Sequence, residues 1–160
     1  MSLGFQRLTR DDVPRIDHLT MAPGQDAFTA DPALRLASLA ADQHAWAILW
    51  AGDAVGFLVI DQGFAATHDF ARPGEPGLRS VLIDAARQGE GIGKAAMAGL
   101  RGLMAATYPE AESLVLTVNE RNPAARAVYL NAGFADTGAL WLGGRSGPQH
   151  ILRLELRTGV

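Results

Sequence analysis

The chain has 160 residues, 48% hydrophobic and 19% charged, which suits one domain with a packed core and argues against disorder. Its formal net charge of -3 gives no bulk attraction to nucleic acid or to an anionic membrane. The absence of cysteine excludes disulfides, thiolate nucleophiles and cysteine metal sites; no apolar run approaches the roughly 20 residues of a membrane helix, and the polar start "MSLGFQRLTRDD" does not read as a signal peptide, so a soluble, cytoplasmic protein is expected.

"LGFQRL" (3–8) alternates and predicts a strand. "TRDDVPRIDHLT" (9–20) predicts a helix: Thr9 or Asp11 can cap it, Pro14 is tolerated in a first turn, and Val13, Ile16 and Leu19 recur at helical spacing. Residues 33–43 predict a second helix with an imperfect apolar stripe of Leu34, Leu36, Leu39 and Ala40. Two apolar runs in 45–61 flank Gly52-Asp53 and predict a hairpin, although the turn residues are not in the favoured Asp-Gly order. Residues 62–77 are turn-rich and read as a loop, and 78–84 as the next strand. A proline-free helix is expected over 91–107, then a β-branched strand over 113–119. Residues 122–133 form a short helix with Asn122 as cap, Pro123 at its first position and Gly133 at its end. "ALWLGG" (139–144) and "QHILRLEL" (149–156) close the chain as a hairpin. The order β-α-α-β-β-β-α-β-α-β-β describes a mixed α/β sheet with helices packed on it, in one domain over 1–160.

Gly89, Gly91 and Gly93 lie between a strand and a helix. Glycine permits positive φ and close approach, and a helix start aims free N–H groups and a positive dipole end at one point. Phosphate is the natural guest, and Lys94 adds charge in the first turn. A Walker-type loop does not fit: the glycine spacing is short and Ala95 stands where a Mg²⁺-binding hydroxyl is needed. "GIGKAA" nominally matches a dinucleotide fingerprint, but six residues separate Asp84 from Gly91, long for that tight turn. A plain glycine linker remains the structural alternative.

"QGEGIG" (88–93) has the form Gln-x-x-Gly-x-Gly and resembles the acyl-CoA pyrophosphate loop of the GCN5-related N-acetyltransferase (GNAT) superfamily. "NERNPAARAVYLNAGF" (119–134) is similar to the downstream segment of the same superfamily, at matching separation, and the element order agrees along nearly the whole chain. The resemblance implies a central, mostly antiparallel sheet with strands four and five splayed apart and about four helices. It implies acetyl-CoA as co-substrate, with no metal. Backbone at Leu82 and Ile83 would pair with the pantetheine arm, and Gln88, Gly89, Glu90, Gly91, Ile92, Gly93 and Lys94 would hold the pyrophosphate. Asn122 has two readings, helix cap and pantetheine contact. Tyr129 matches the tyrosine that protonates the departing CoA thiolate; a phenol, with reference pKa near 10, keeps its proton until needed, although a core role stays open.

The resemblance thus implies acetyl transfer to a primary amine of a small molecule by direct attack in a ternary complex. "LRSVLIDAARQGEGIGK" (78–94) and, loosely, "APGQDAFTADPALRLASL" (22–39) are similar to a small-amine and polyamine branch. The alternatives are a protein or peptide amine, or a non-catalytic acyl-CoA sensor; a homodimer is compatible with the resemblance. An acceptor amine with pKa near 10.4 costs roughly 4.6 kcal/mol to neutralise at pH 7, so a base is expected. Asp84, Glu120, His68 and Asp69 are candidates, while Asp26, Asp31, Asp61, Asp69 and Glu75 are acids available to attract a cationic acceptor. His18, His44 and His150 lack metal-ligand spacing, and no Gly-x-Ser-x-Gly elbow offers an acyl-serine route.

Overall fold

Seven runs of alternating or crowded apolar residues become strands: β1 (Leu3–Leu8), β2 (Gln43–Trp50), β3 (Asp53–Asp61), β4 (Gly77–Ile83), β5 (Ser113–Asn119), β6 (Ala135–Trp141) and β7 (Gln149–Glu155). This is a computed structural model, and it describes residues 2–157. The strands form one sheet in the order β1-β2-β3-β4-β5-β7-β6. Neighbours are antiparallel except β4 and β5, which run parallel and pair only at Gly77 and Val115.

Side-chain alternation sorts the strands between two layers. On β5, Leu114, Leu116 and Val118 join a core with Met97, Leu100 and Met104, carried by α4 (Ile92–Ala98) and α5 (Leu100–Thr107). Val115 points the other way, onto Phe64 and Ile151. On β4, Leu78 belongs to the first core, whereas Leu82 packs with Ile16, Leu36 and Phe57 beneath α1 (Val13–Ile16) and α2 (Pro32–Ala37). Each such leucine contributes about 1.5–3 kcal/mol by burial. The mixed α/β architecture and the single parallel β4–β5 contact agree with the expected fold.

Two features open the sheet between β4 and β5. Leu58 of β3 stands opposite two residues, Ser80 and Val81, so β4 carries a bulge, with Ser80 at φ +58. A bulge bends its strand and raises the local twist, and beyond Gly77 no β4 residue pairs with β5. At the point of divergence, a Cβ on Gly77 would overlap the Phe64 ring, so glycine is required for the ring to seat there.

Several boundaries depart from the sequence expectation, for local reasons. The expected helix over 9–20 is a 3₁₀ turn (Arg10–Asp12) followed by α1; Asp12 accepts from the Thr9 N–H and hydroxyl, so the cap is Thr9 with Asp12 rather than Asp11. His18 then bonds the Ala54 carbonyl oxygen and Ala85 N–H the Thr20 carbonyl, tying residues 17–20 to the sheet edge. The second helix stops at Ala37, because Arg10 takes the Leu39 carbonyl and the Gln43 side chain takes the Ala40 N–H. The 62–77 loop contains a one-turn helix, α3 (Phe64–Thr67), nucleated on the buried Phe64. The 91–107 helix is nicked at Gly99, where Leu3 and Phe5 come within 3.2 Å of a Cβ position. The last hairpin starts at Ala135, earlier than read, because nearly all of β6 is exposed and carries no apolar alternation.

Candidate active site

The gap between β4 and β5 is a slot of about 1010 Å³ that passes through the sheet. On the α4 side it is walled by Gly89, Gly91, Lys94, Met97 and, from α6 (Pro123–Asn131), Val128 and Tyr129. On the α2 side it is walled by Arg35, Phe64, His68, Arg79 and Trp141. Residues 22–30 cross its mouth as a strap. At one end Gln25 Oε1 accepts from the Ala22 N–H and from Gln88; at the other Ser146 Oγ donates to the Ala27 carbonyl at 2.7 Å.

The glycine turn is shaped for something outside the chain. Gly89 (φ +86) and Gly91 (φ +80) are left-handed, yet a Cβ at either would meet nothing within 4 Å. Gly91 is the N-cap of α4 and brings no side chain to its first amides. The contrast is with α6, where Asn122 accepts from the Ala125 N–H, and α2, where Asp31 accepts from the Leu34 N–H. Helix-start amides without a protein cap form an anion site when they face a cavity. Gly93 sits in the first turn with only Ile83 Cγ1 near, at 3.6 Å from a Cβ position.

Of the residues expected at the cofactor, Ile83, Gln88, Gly89, Gly91, Ile92, Gly93, Lys94 and Asn122 line the slot. Leu82 does not, because strand alternation turns its side chain into the α1–α2 core. Glu90 lies outside the lining as well, its carboxylate 3.1 Å from Arg87 Nε. Asn122 both lines the slot and caps α6.

The two tyrosines separate cleanly. Tyr108 is buried and its hydroxyl is engaged by Trp46 Nε1 at 3.1 Å and His44 Nδ1 at 2.9 Å. Tyr129 packs edge-on against Phe134 at 5.7 Å, and its hydroxyl has no hydrogen-bond partner among the described residues. Desolvation by burial raises its pKa above the usual phenol value.

The four candidate bases are separated by position. Asp84 accepts from the Thr20 N–H at 3.0 Å and hydroxyl at 2.8 Å; these bonds hold its carboxyl below the usual value against the opposing effect of burial, and it lies outside the slot. Glu120 and Asp69 are exposed and outside the lining. His68 alone of the four lines the slot, stacked on Phe64 at 3.9 Å and 5.0 Å from Trp141. Its Nδ1 lies 2.9 Å from Thr67 Oγ1 and 3.2 Å from the Phe64 carbonyl oxygen; because the Thr67 hydroxyl donates to that same carbonyl at 3.2 Å and so offers Nδ1 its lone pair, we assign the proton to Nδ1 and a lone pair to Nε2. Burial lowers its pKa, so the ring is neutral at pH 7.

The acids expected near a cationic acceptor are all outside the lining. Asp31 caps α2, Asp61 pairs with Arg79 at 2.9 Å, and Glu75 pairs with Arg153 at 2.7 Å. The residues that do converge, Arg35, Arg79, Phe64 and Trp141, come from four separated segments. No motif marked them. The only local hint was the Phe64–His68 spacing, which places two rings one helical turn apart.

A model of the acetyltransferase (GNAT) family matches residues 13–134. The uncharacterized N-acetyltransferase YbbJ of Bacillus subtilis (strain 168) is 25% identical over 146 residues, which make up 89% of this chain and 90% of that protein. Among solved structures, AAC(6')-Ib in complex with paromomycin and acetyl-CoA aligns with a TM-score of 0.78 at 17% identity, over 97% of this chain and 94% of that one. A chimera of the Vibrio cholerae spermidine N-acetyltransferase SpeG and hSSAT aligns with a TM-score of 0.70 at 16% identity, over 98% and 96% of the two chains. At these identities the two structures speak for the fold.

Proposed function

The chain belongs to the acetyltransferase (GNAT) family, and from that premise we propose that it transfers an acetyl group from acetyl-CoA to a primary amine of a small molecule, by direct attack in a ternary complex. The observation that carries this reading is the slot itself. It joins an uncapped glycine turn on one side of the sheet to a neutral histidine on the other, with a free phenol in its wall.

In this reading the amides of Gly91 to Lys94 and the Lys94 ammonium hold the pyrophosphate, and the unpaired stretch of β4 flanks the pantetheine. His68 Nε2 accepts one proton from the acceptor's ammonium group, so that the free amine forms next to the thioester it attacks. The amine nitrogen bonds to the thioester carbonyl carbon, the carbon–sulfur bond breaks, the Tyr129 hydroxyl gives its proton to the departing thiolate, the second proton on the nitrogen passes to the Tyr129 phenolate, and His68 returns its proton to solvent. A phenol holds its proton at neutral pH and so has one to give when the thiolate forms.

The test is CoA release from acetyl-CoA across a panel of amines and peptides, with wild type and Tyr129→Phe. Tyr129→Phe is expected to lower kcat by about 100-fold with acetyl-CoA affinity nearly unchanged. Unchanged turnover removes Tyr129 from the mechanism. Tight acetyl-CoA binding with no release for any amine favours the sensor. Spermidine and aminoglycosides belong in the panel, because two structures of the same fold are described with such molecules.

A further inference from the structure

The slot carries the opposite charge to the chain. The protein has a net charge of -3, yet the slot is lined by Arg35, Arg79, Arg87, Lys94 and Arg145, with no aspartate or glutamate among the described lining residues. Two of these cations belong to the glycine turn: Lys94 in the first turn of α4, and Arg87, which is paired with Glu90. Pyrophosphate accounts for them. Arg35 and Arg79 stand on the other side of the sheet, beside the β4 bulge, where a pyrophosphate on the glycine turn does not reach.

Arg35 is held in place but not neutralised. Its Nε donates to Ser80 Oγ at 3.1 Å and one terminal nitrogen donates to Gln43 Oε1 at 3.1 Å. It makes no ion pair among the described residues; the nearby carboxylate, Asp61, is bonded to Arg79 at 2.9 Å. Two guanidinium groups against one carboxylate leave one net positive charge. Of the five N–H donors of Arg35, three remain without a partner among the described residues. Ser80, which fixes Arg35, is also the residue at φ +58, and backbone strain of this kind persists where the surroundings hold it for function.

We propose that the acceptor is an amine that also carries a carboxylate, of the amino-acid class, and that Arg35 binds this carboxylate while the amine faces His68. The inference rests on the acetyltransferase reading and narrows it. A polycation, such as a polyamine or an aminoglycoside, would enter beside an uncompensated arginine with no acid to receive it, whereas one carboxylate matches the excess charge of the Arg35–Arg79–Asp61 group; Arg145, the remaining lining cation, stands next to Ser146 at the far end of the strap. A guanidinium fork binds a carboxylate through two parallel bonds, which also fixes its orientation.

The experiment compares matched acceptors: amino acids, the same amino acids as carboxamides, and spermidine, putrescine and kanamycin. Acetylated products are read by mass spectrometry and rates by CoA release. A thermal shift with CoA, measured in parallel, reports the cofactor site independently of any acceptor. The expected result is a product from a carboxylate-bearing amine, with kcat/KM at least about 30-fold above its carboxamide, as for a charge-assisted bidentate contact. Arg35→Gln is expected to raise KM for that acceptor by about tenfold or more and to erase the preference for acid over amide, with KM for acetyl-CoA unchanged. Arg35→Lys, which keeps the charge but loses the fork, should retain part of the preference and guards against a folding defect. Equal or faster turnover of carboxamides or polyamines overturns the proposal, as does an unchanged acid preference in Arg35→Gln. A CoA thermal shift with no product from any carboxylate-bearing amine also overturns it, while a missing shift counts against the acetyl-CoA reading itself.

Discussion

The slot is built differently at its two ends. At the proposed phosphate end most of the wall comes from one stretch, residues 83–97, with Asn122, Val128 and Tyr129 added from α6 and its cap, and the groups proposed to meet the pyrophosphate are mostly main-chain amides. At the acceptor end the wall is assembled from α2, α3, β4 and the end of β6, and the groups that face the ligand are side chains. A main-chain site leaves a trace in sequence, because only glycine tolerates the left-handed turns at 89 and 91. A side-chain site leaves none, because its members are adjacent only after the sheet has formed.

The contrast predicts that the two ends fail in different ways. His68→Gln at the acceptor end should lower kcat/KM by about 100-fold without weakening acetyl-CoA binding. It should also remove the acid limb of the kcat/KM profile. In wild type that limb lies below the usual imidazole value of 6.5, because burial lowers the His68 pKa and the active neutral form persists as pH falls; the rate is lost only as pH drops through the lowered value. A limb that survives in His68→Gln assigns the base elsewhere.

Gly91→Val at the phosphate end should cost about 100-fold in acetyl-CoA affinity, by straining φ +80 and obstructing the amides. Gly93→Ala sharpens the point, because the protein has room for that methyl group, 3.6 Å from Ile83, and a helix gains up to about 1 kcal/mol from the change. Melting temperature should therefore rise while acetyl-CoA affinity falls by about tenfold, about 1.4 kcal/mol. A rise in stability with unchanged affinity would mean that the ligand does not approach Gly93. As a control away from both ends, Ala51→Asn should stabilise the protein by about 0.5–1 kcal/mol with no change in kinetics. Ala51 and Gly52 form a two-residue hairpin turn with φ +51 and +89, where Asn-Gly is favoured over Ala-Gly.

Element order was legible from period and punctuation: Asn122-Pro123 opens α6, and the alternation of Leu114, Leu116 and Val118 identifies β5. Boundaries were less so. The ends of α1 and α2 are set by Arg10, Gln43 and His18 bonding backbone groups far along the chain, which local propensity does not encode. Of the residues that the sequence pointed to at the glycine turn, all but Glu90 line the slot; Leu82, expected through its backbone, turns its side chain into the α1–α2 core.

The amino-acid sequence by itself determined the class of fold and the glycine turn, because each rests on local periodicity or on a motif whose glycines have a steric reason. Only the tertiary structure decided which charges line the slot. The acids near 26, 31, 61, 69 and 75 looked available in sequence, but capping, ion pairing or exposure takes each of them out of the slot lining. Nothing in the sequence singled out Arg35. It became the uncompensated charge of the site only because α2 packs across the β4 bulge and brings its guanidinium to Ser80.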